Sequence, residues 1–272
     1  MIYRDRWYYI WVIFIFLVIL PVTVYAQANT AKLKKHDPTL LIGVDSILQK
    51  KSENKDMVII DVRTPDQFEK IRIPSSINMP LFSVKTKQYL KSKLLILVNE
   101  GYNYSQLESE CMKLRNGGFK AYILHGGLYY WVQNGAPLEG VISSKKSLNK
   151  ISPPVFLTEK DYSNWIIVDV SSAEKINEPL SGQFIFVPYT GNSDKFSSSL
   201  EKSLEKIKTD EFSLIMICNE KGEDYDKIEA ILEKSKTNRI FFLEGGKEGL
   251  KKAMAKANEQ INATANQSGA CK

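Results

Sequence analysis

Histidine and cysteine are scarce in this chain of 272 residues, with two of the first and three of the second. His36 and His125 have no cysteine or second histidine at zinc-ligand spacing, so no metal centre is expected. Cys111, Cys218 and Cys271 include no Cys-x-x-Cys pair, which argues against a dedicated disulfide exchanger. Their odd number leaves at least one thiol free or paired with another molecule. The lysines are scattered and no arginine-rich patch carries interleaved aromatics. The formal net charge of +6 therefore reads as a mildly basic surface, not a nucleic-acid footprint.

At the N-terminus, Arg4 and Arg6 precede an uncharged apolar stretch. Pro21 interrupts it, and Val24-Tyr25-Ala26 offers small residues for cleavage before Gln27. That order is the pattern of a secretory signal segment, assigned to residues 1–26. The alternative is an uncleaved anchor, because residues 7–25 make 19 uncharged positions, close to the ~20 that span a bilayer. Either reading expects the other 246 residues, with net charge +5, to be exported to the periplasm or the exterior. Membrane contact is expected only through residues 7–25, and only where that segment is left uncleaved.

The rest of the chain repeats itself. Met57–Asp61, Leu94–Val98 and Ala121–Leu124 are short apolar runs. Trp165–Asp169, Phe212–Ile217 and Arg239–Leu243 echo them in order. Between the second and third runs of each half lies a helical pattern, Ser105–Asn116 and then Asp224–Lys234. Continuous apolar runs alternating with amphipathic helices predict buried parallel strands with crossover helices. The expected fold is α/β, two domains that each carry a parallel sheet with helices on both faces. The predicted boundaries are 40–140 and 155–260, with a linker over 141–154 and a disordered polar tail over 261–272.

These residues resemble rhodanese-like domains, the sulfurtransferase fold that often occurs in tandem. In the first half the resemblance rests on Ile59-Ile60-Asp61-Val62-Arg63 with Pro65 and Phe68, and on Ile71 to Pro80. It rests also on Leu124-His125-Gly126-Gly127-Leu128 with Trp131, Gly135 and Pro137. The second half keeps Val168-Asp169-Val170, Cys218 and Leu243-Glu244-Gly245-Gly246. The resemblance implies a cysteine directly after the central strand, starting a loop that runs into a helix N-terminus and carrying a persulfide. Loop amides and the helix dipole would stabilise the sulfur anion, and the thiolate would attack a donor sulfur. No cofactor is implied. The implied partner is a small sulfur-containing donor or acceptor, or a protein.

On this alignment the first loop, Asn99-Glu100-Gly101-Tyr102-Asn103-Tyr104, starts with an amide and cannot form a persulfide. Asn99 and Gly101 could still form an anion-binding nest, narrowed by Tyr102 and Tyr104. Cys111 falls near the apolar face of its helix and reads as core. The second loop begins at Cys218, with Asn219, Glu220, Lys221, Gly222 and Glu223 following. Gly222 permits a positive φ. Glu220, Glu223 and Asp224 against Lys221 would raise the thiol pKa and repel an anionic donor. Cys218 is therefore either the nucleophile of a sulfurtransferase or an inert or disulfide-bonded relic in a binding module. Asp61 and Asp169 are expected to cap the next element or orient the loop. Arg63 is expected to pair with an acid or reach the pocket. Arg72 stands where the family usually has histidine, and its charge cannot be switched off.

Overall fold

The computed structural model describes residues 34–53, 56–162, 164–172, 183–210, 212–234 and 239–269. The expected signal segment and Cys271 lie outside these residues. No helix among them is long and apolar enough to cross a membrane.

In chain order the first half contains β1 (Leu41–Ile42), α1 (Val44–Ser52), β2 (Met57–Asp61), α2 (Pro65–Lys70), β3 (Ile71–Arg72), β4 (Ile77–Asn78) and α3 (Leu81–Val84). It continues through β5 (Leu94–Val98), α4 (Tyr104–Asn116), β6 (Lys120–Leu124), α5 (Gly127–Gln133) and β7 (Glu139–Gly140). The second half contains β8 (Lys150–Ile151), α6 (Pro153–Glu159), β9 (Trp165–Asp169), β10 (Gln183–Phe186) and α7 (Ser193–Leu204). It ends with β11 (Leu214–Cys218), α8 (Tyr225–Leu232), β12 (Ile240–Leu243) and α9 (Gly246–Gly269).

The first sheet has the order β1-β6-β5-β2-β4 and the second β8-β12-β11-β9-β10. Every neighbouring pair in both sheets is parallel. The two orders superimpose strand for strand, so the chain is a doubled α/β fold. Apolar runs of five residues persist in the central strands because both faces of each sheet are covered. On β5, Leu95 and Leu97 join Leu107, Cys111 and Leu114 of α4, while Ile96 and Val98 join Leu128 and Trp131 of α5. On β11, Ile215 and Ile217 join Ile228 and Leu232 of α8, while Leu214, Met216 and Cys218 face Phe156 and Leu250.

Two expected boundaries move. The stretch read as a linker holds β8, which pairs with β12 as the edge of the second sheet, and Pro153 already begins α6. A two-residue strand starting with a lysine leaves no apolar run to detect. The polar tail is helical as far as Gly269. Its many alanines and lack of proline favour continuation of the helix over a break.

The halves share a core. The Tyr102 ring meets Phe241 edge-on at 5.5 Å between centroids, and Tyr129 lies 4.9 Å from the same ring. His36, just before β1, stacks on Tyr162 at 4.3 Å and sits 5.2 Å from both Tyr104 and Phe212. At the end of α6, Glu159 is fully buried and accepts from the Ser105 N–H at 3.1 Å and from its hydroxyl. A carboxylate from the second half thus caps the first turn of α4 in the first half. Burial pushes the Glu159 pKa up, against smaller opposing pulls from the Ser105 bonds and His36. A carboxyl group whose folded-state pKa is raised supports the fold below its unfolded pKa, and that support fades as pH rises through the folded value. Glu159→Gln should therefore be more stable than wild type at pH 7, with the gain shrinking as pH falls into the ordinary carboxylate range. Urea melts across pH check this.

Candidate functional site

In each half the central strand ends in a loop that packs beneath a Gly-Gly turn. Asn99 donates through Nδ2 to the Asn103 carbonyl at 2.7 Å, and its own carbonyl accepts from Leu128 N–H at 2.8 Å. Asn219 donates through Nδ2 to the Glu223 carbonyl at 2.6 Å, and its carbonyl accepts from Lys247 N–H at 2.8 Å. The carbonyls of Glu100 and Glu220 likewise accept from Tyr129 N–H and Glu248 N–H. Gly101 has φ 126° and Gly222 φ 78°. A Cβ on Gly222 would lie 2.7 Å from Gly245 N, and one on Gly101 would collide with the Gly126 carbonyl. Only glycine lets these loops meet the turns so closely.

This equivalence corrects the placement of Cys218. Asp61 is the parallel partner of Val98, and Asp169 is the partner of Cys218. Cys218 therefore corresponds to Val98, the last strand residue, and Asn219 corresponds to Asn99. Alternation along β11 sends Cys218 to the same face as Leu214 and Met216. The thiol is fully buried, with Sγ 3.7 Å from the Val168 carbonyl oxygen. Burial, then Asp169, pushes its pKa far above the ordinary thiol range, against a weaker pull from Lys247. It lines neither loop pocket. Cys111 is also buried, as expected, and burial lifts its pKa to about 11 against a pull from Arg115. Both are free thiols.

The expected narrowing of the first loop by its two tyrosines is also corrected. Tyr102 turns into the core shared with the second half, and the buried Tyr104 hydroxyl accepts from Gly126 N–H at 2.6 Å. Neither ring narrows the mouth. The first-turn amide of Ser105 is already taken by Glu159.

The strand-end aspartates bracket their own turns. Asp61 accepts from Arg63 N–H, and Asp169 from Ser171 N–H, at 3.1 and 3.0 Å. Arg63 then grips Asp61 with Nε at 2.9 Å and Nη2 at 2.6 Å, and Nη2 also reaches the Ile71 carbonyl at 2.6 Å. Both side chains are 1 % exposed. In the second half, where Ser171 replaces Arg63, the counterion is Lys247, whose Nζ lies 3.4 Å from Asp169 and 2.9 Å from Glu220. Burial pulls the Lys247 pKa down, but Glu220 and Asp169 together hold it above its ordinary value. Sequence reading missed Lys247. The signal was a charged residue directly after Gly245-Gly246, where the first half has Leu128. Arg72 lies outside the pocket, on the small antiparallel sheet of β3 and β7, paired with Glu139 at 3.1 Å.

Two pockets open beside the loops. One of about 360 Å³ is lined by Arg63, Gln67, Asn99, Glu100 and Asn103, among others. The other, of about 480 Å³, is lined by Ser171, Tyr189, Asn219, Glu220, Lys221 and Glu223, among others. The acidic character expected of the second loop holds. Its charges are partly matched, Glu220 by Lys247 and Asp224 by Lys227 at 2.8 Å.

Two outcomes follow for mutants. Arg63→Met strands the buried Asp61 charge and should cost about 3–5 kcal/mol in urea melts, with part of the loss recovered in the double variant with Asp61→Asn. Cys218→Val, which copies the first half, should cost less than about 1.5 kcal/mol.

Residues 45–134 match the family described as Rhodanese-like domain. A stretch of 120 residues is 32% identical to the adenylyltransferase and sulfurtransferase MOCS3 of Drosophila sechellia, covering 38% of this chain and 26% of that protein. The chain thus spans about a quarter of that relative's length. Among solved structures, the rhodanese-like domain from Anabaena sp. is 25% identical, over 39% of this chain and 83% of that one, with a TM-score of 0.33. The thiosulfate sulfurtransferase of Pseudomonas aeruginosa is 15% identical, over 78% of this chain and 42% of that one, also with a TM-score of 0.33. Over residues 45–134 the chain is thus similar to rhodanese-like domains, and its second sheet repeats the strand order of the first.

Proposed function

We propose that this protein is a non-catalytic rhodanese-like binding module, working outside the cytoplasm on a polypeptide or a sulfur-containing ligand. The observation that carries this reading is that both loops begin with asparagine. Asn99 and Asn219 occupy the same position, while Cys218 lies one residue earlier with its sulfur in the core. An amide has no nucleophilic sulfur, so neither loop start can hold a persulfide. Export is supported by the Arg4–Gln27 pattern alone.

The competing reading is persulfide transfer through Cys218. It needs a thiolate that a donor such as thiosulfate can reach. A thiol kept neutral by burial, on which Asp169 acts more strongly than Lys247, offers neither property.

Mass spectrometry of the reduced protein after incubation with thiosulfate distinguishes the two. The binding-module reading expects no added sulfur on Cys218 in the folded protein. One added sulfur there, removed by cyanide, would show that the site is catalytic.

A further inference from the structure

The pocket beside the first loop has the opposite character to an anion cradle. Arg63 is its one lining cation, and that side chain is 1 % exposed and held on Asp61 and the Ile71 carbonyl. Of the two lining carboxylates, Glu110 pairs with Lys113. Glu100 accepts from the neutral Gln67 amide at 2.8 Å, and no cation pairs with it among the described residues. Asn99, only 5 % exposed, and Asn103 both line the pocket, and the Oδ1 atom of each is buried without a donor. Buried carbonyl oxygens are costly to leave unpaired. The pocket therefore presents one unmatched negative charge, and two acceptors without donors lie buried in its wall. On its rim stands Phe82, 70 % exposed, beside Pro80 and Leu81.

We propose that this pocket holds an arginine side chain of a partner polypeptide, with an apolar neighbour of that arginine seated on Phe82. A guanidinium carries one positive charge and five N–H donors in a planar fork. It can meet the Glu100 carboxylate with two parallel bonds, and a small rotation of the Asn99 or Asn103 amide would bring a donorless Oδ1 within its reach. The volume of about 360 Å³ suits one such side chain with its flank. The exposed Phe82 argues for a polypeptide, because a free guanidinium compound would leave that ring in water. The inference deepens the binding-module reading and rests on it.

The test is a titration of the 15N-labelled full chain with three probes: acetyl-Leu-Arg-Phe-amide, the same peptide with citrulline for arginine, and methylguanidine. The arginine peptide should shift the Asn99 and Asn103 side-chain amide signals saturably, and the citrulline peptide should bind about tenfold more weakly. Glu100→Gln, which keeps an acceptor for Gln67, should weaken the arginine peptide by about tenfold. Phe82→Ser, at an exposed position, should weaken the peptide severalfold and leave methylguanidine unchanged. Equal binding of the citrulline peptide, or an unaffected Glu100→Gln variant, would overturn the inference. So would methylguanidine binding as tightly as the peptide. The same samples are exposed to thiosulfate and weighed. Added sulfur on Cys218 overturns the non-catalytic reading beneath the proposal, whereas absent peptide shifts with no added sulfur overturn the proposal alone.

Discussion

Side chains alternate along a buried strand, and that alternation governs what each half of this molecule can do. The register of β11 against β9 puts Cys218 opposite Asp169 as the last residue of the strand. Its neighbours on the same face are Leu214 and Met216. A residue in that position is committed to the core, whatever chemistry its side chain carries. The next residue, Asn219, is the one whose backbone enters the loop. A shift of one residue separates a thiol among loop amides from one against the Val168 carbonyl. The first half makes the same choice with Val98 and Asn99.

Electrostatics follow from that arrangement. Each sheet ends a central strand in a buried aspartate and supplies a cation to it by a different route. Asp61 takes Arg63 from two residues away in sequence, whereas Asp169 takes Lys247 from the far side of the Gly-Gly turn. Breaking either pair would strand a charge in low dielectric. Both cations are thus held inside the fold, and Arg63, although it lines the first pocket, stays turned onto Asp61. What remains unmatched at the first mouth is the Glu100 carboxylate. The positive end of α4 is occupied by Glu159 from the other half. The same contact joins the two sheets across a core that includes Tyr102, Phe241 and His36.

Much of this was legible in the sequence. The repeat of apolar runs gave the doubled α/β fold, and the run Leu94–Val98 matched its strand to the residue. The Gly-Gly turns and the buried Cys111 followed from backbone freedom and helix spacing. The short edge strands did not show, because Leu41–Ile42 and Lys150–Ile151 are too brief to make a period. The position of Cys218 was misread because an apolar run does not reveal its own last residue, and cysteine is itself apolar enough to extend one. Lys247 and Glu159 were missed because their partners are 78 and 54 residues distant. Nothing local marks a pairing at that separation.

The account stands most directly on the inaccessibility of one sulfur. Alkylation of the native protein with iodoacetamide, resolved at Cys218 by peptide mass, measures it. The expected result is protection in the folded state, with labelling only at the rate of opening and full labelling in denaturant. Labelling of Cys218 at the rate of a small free thiol, while the fold stays intact, would contradict it.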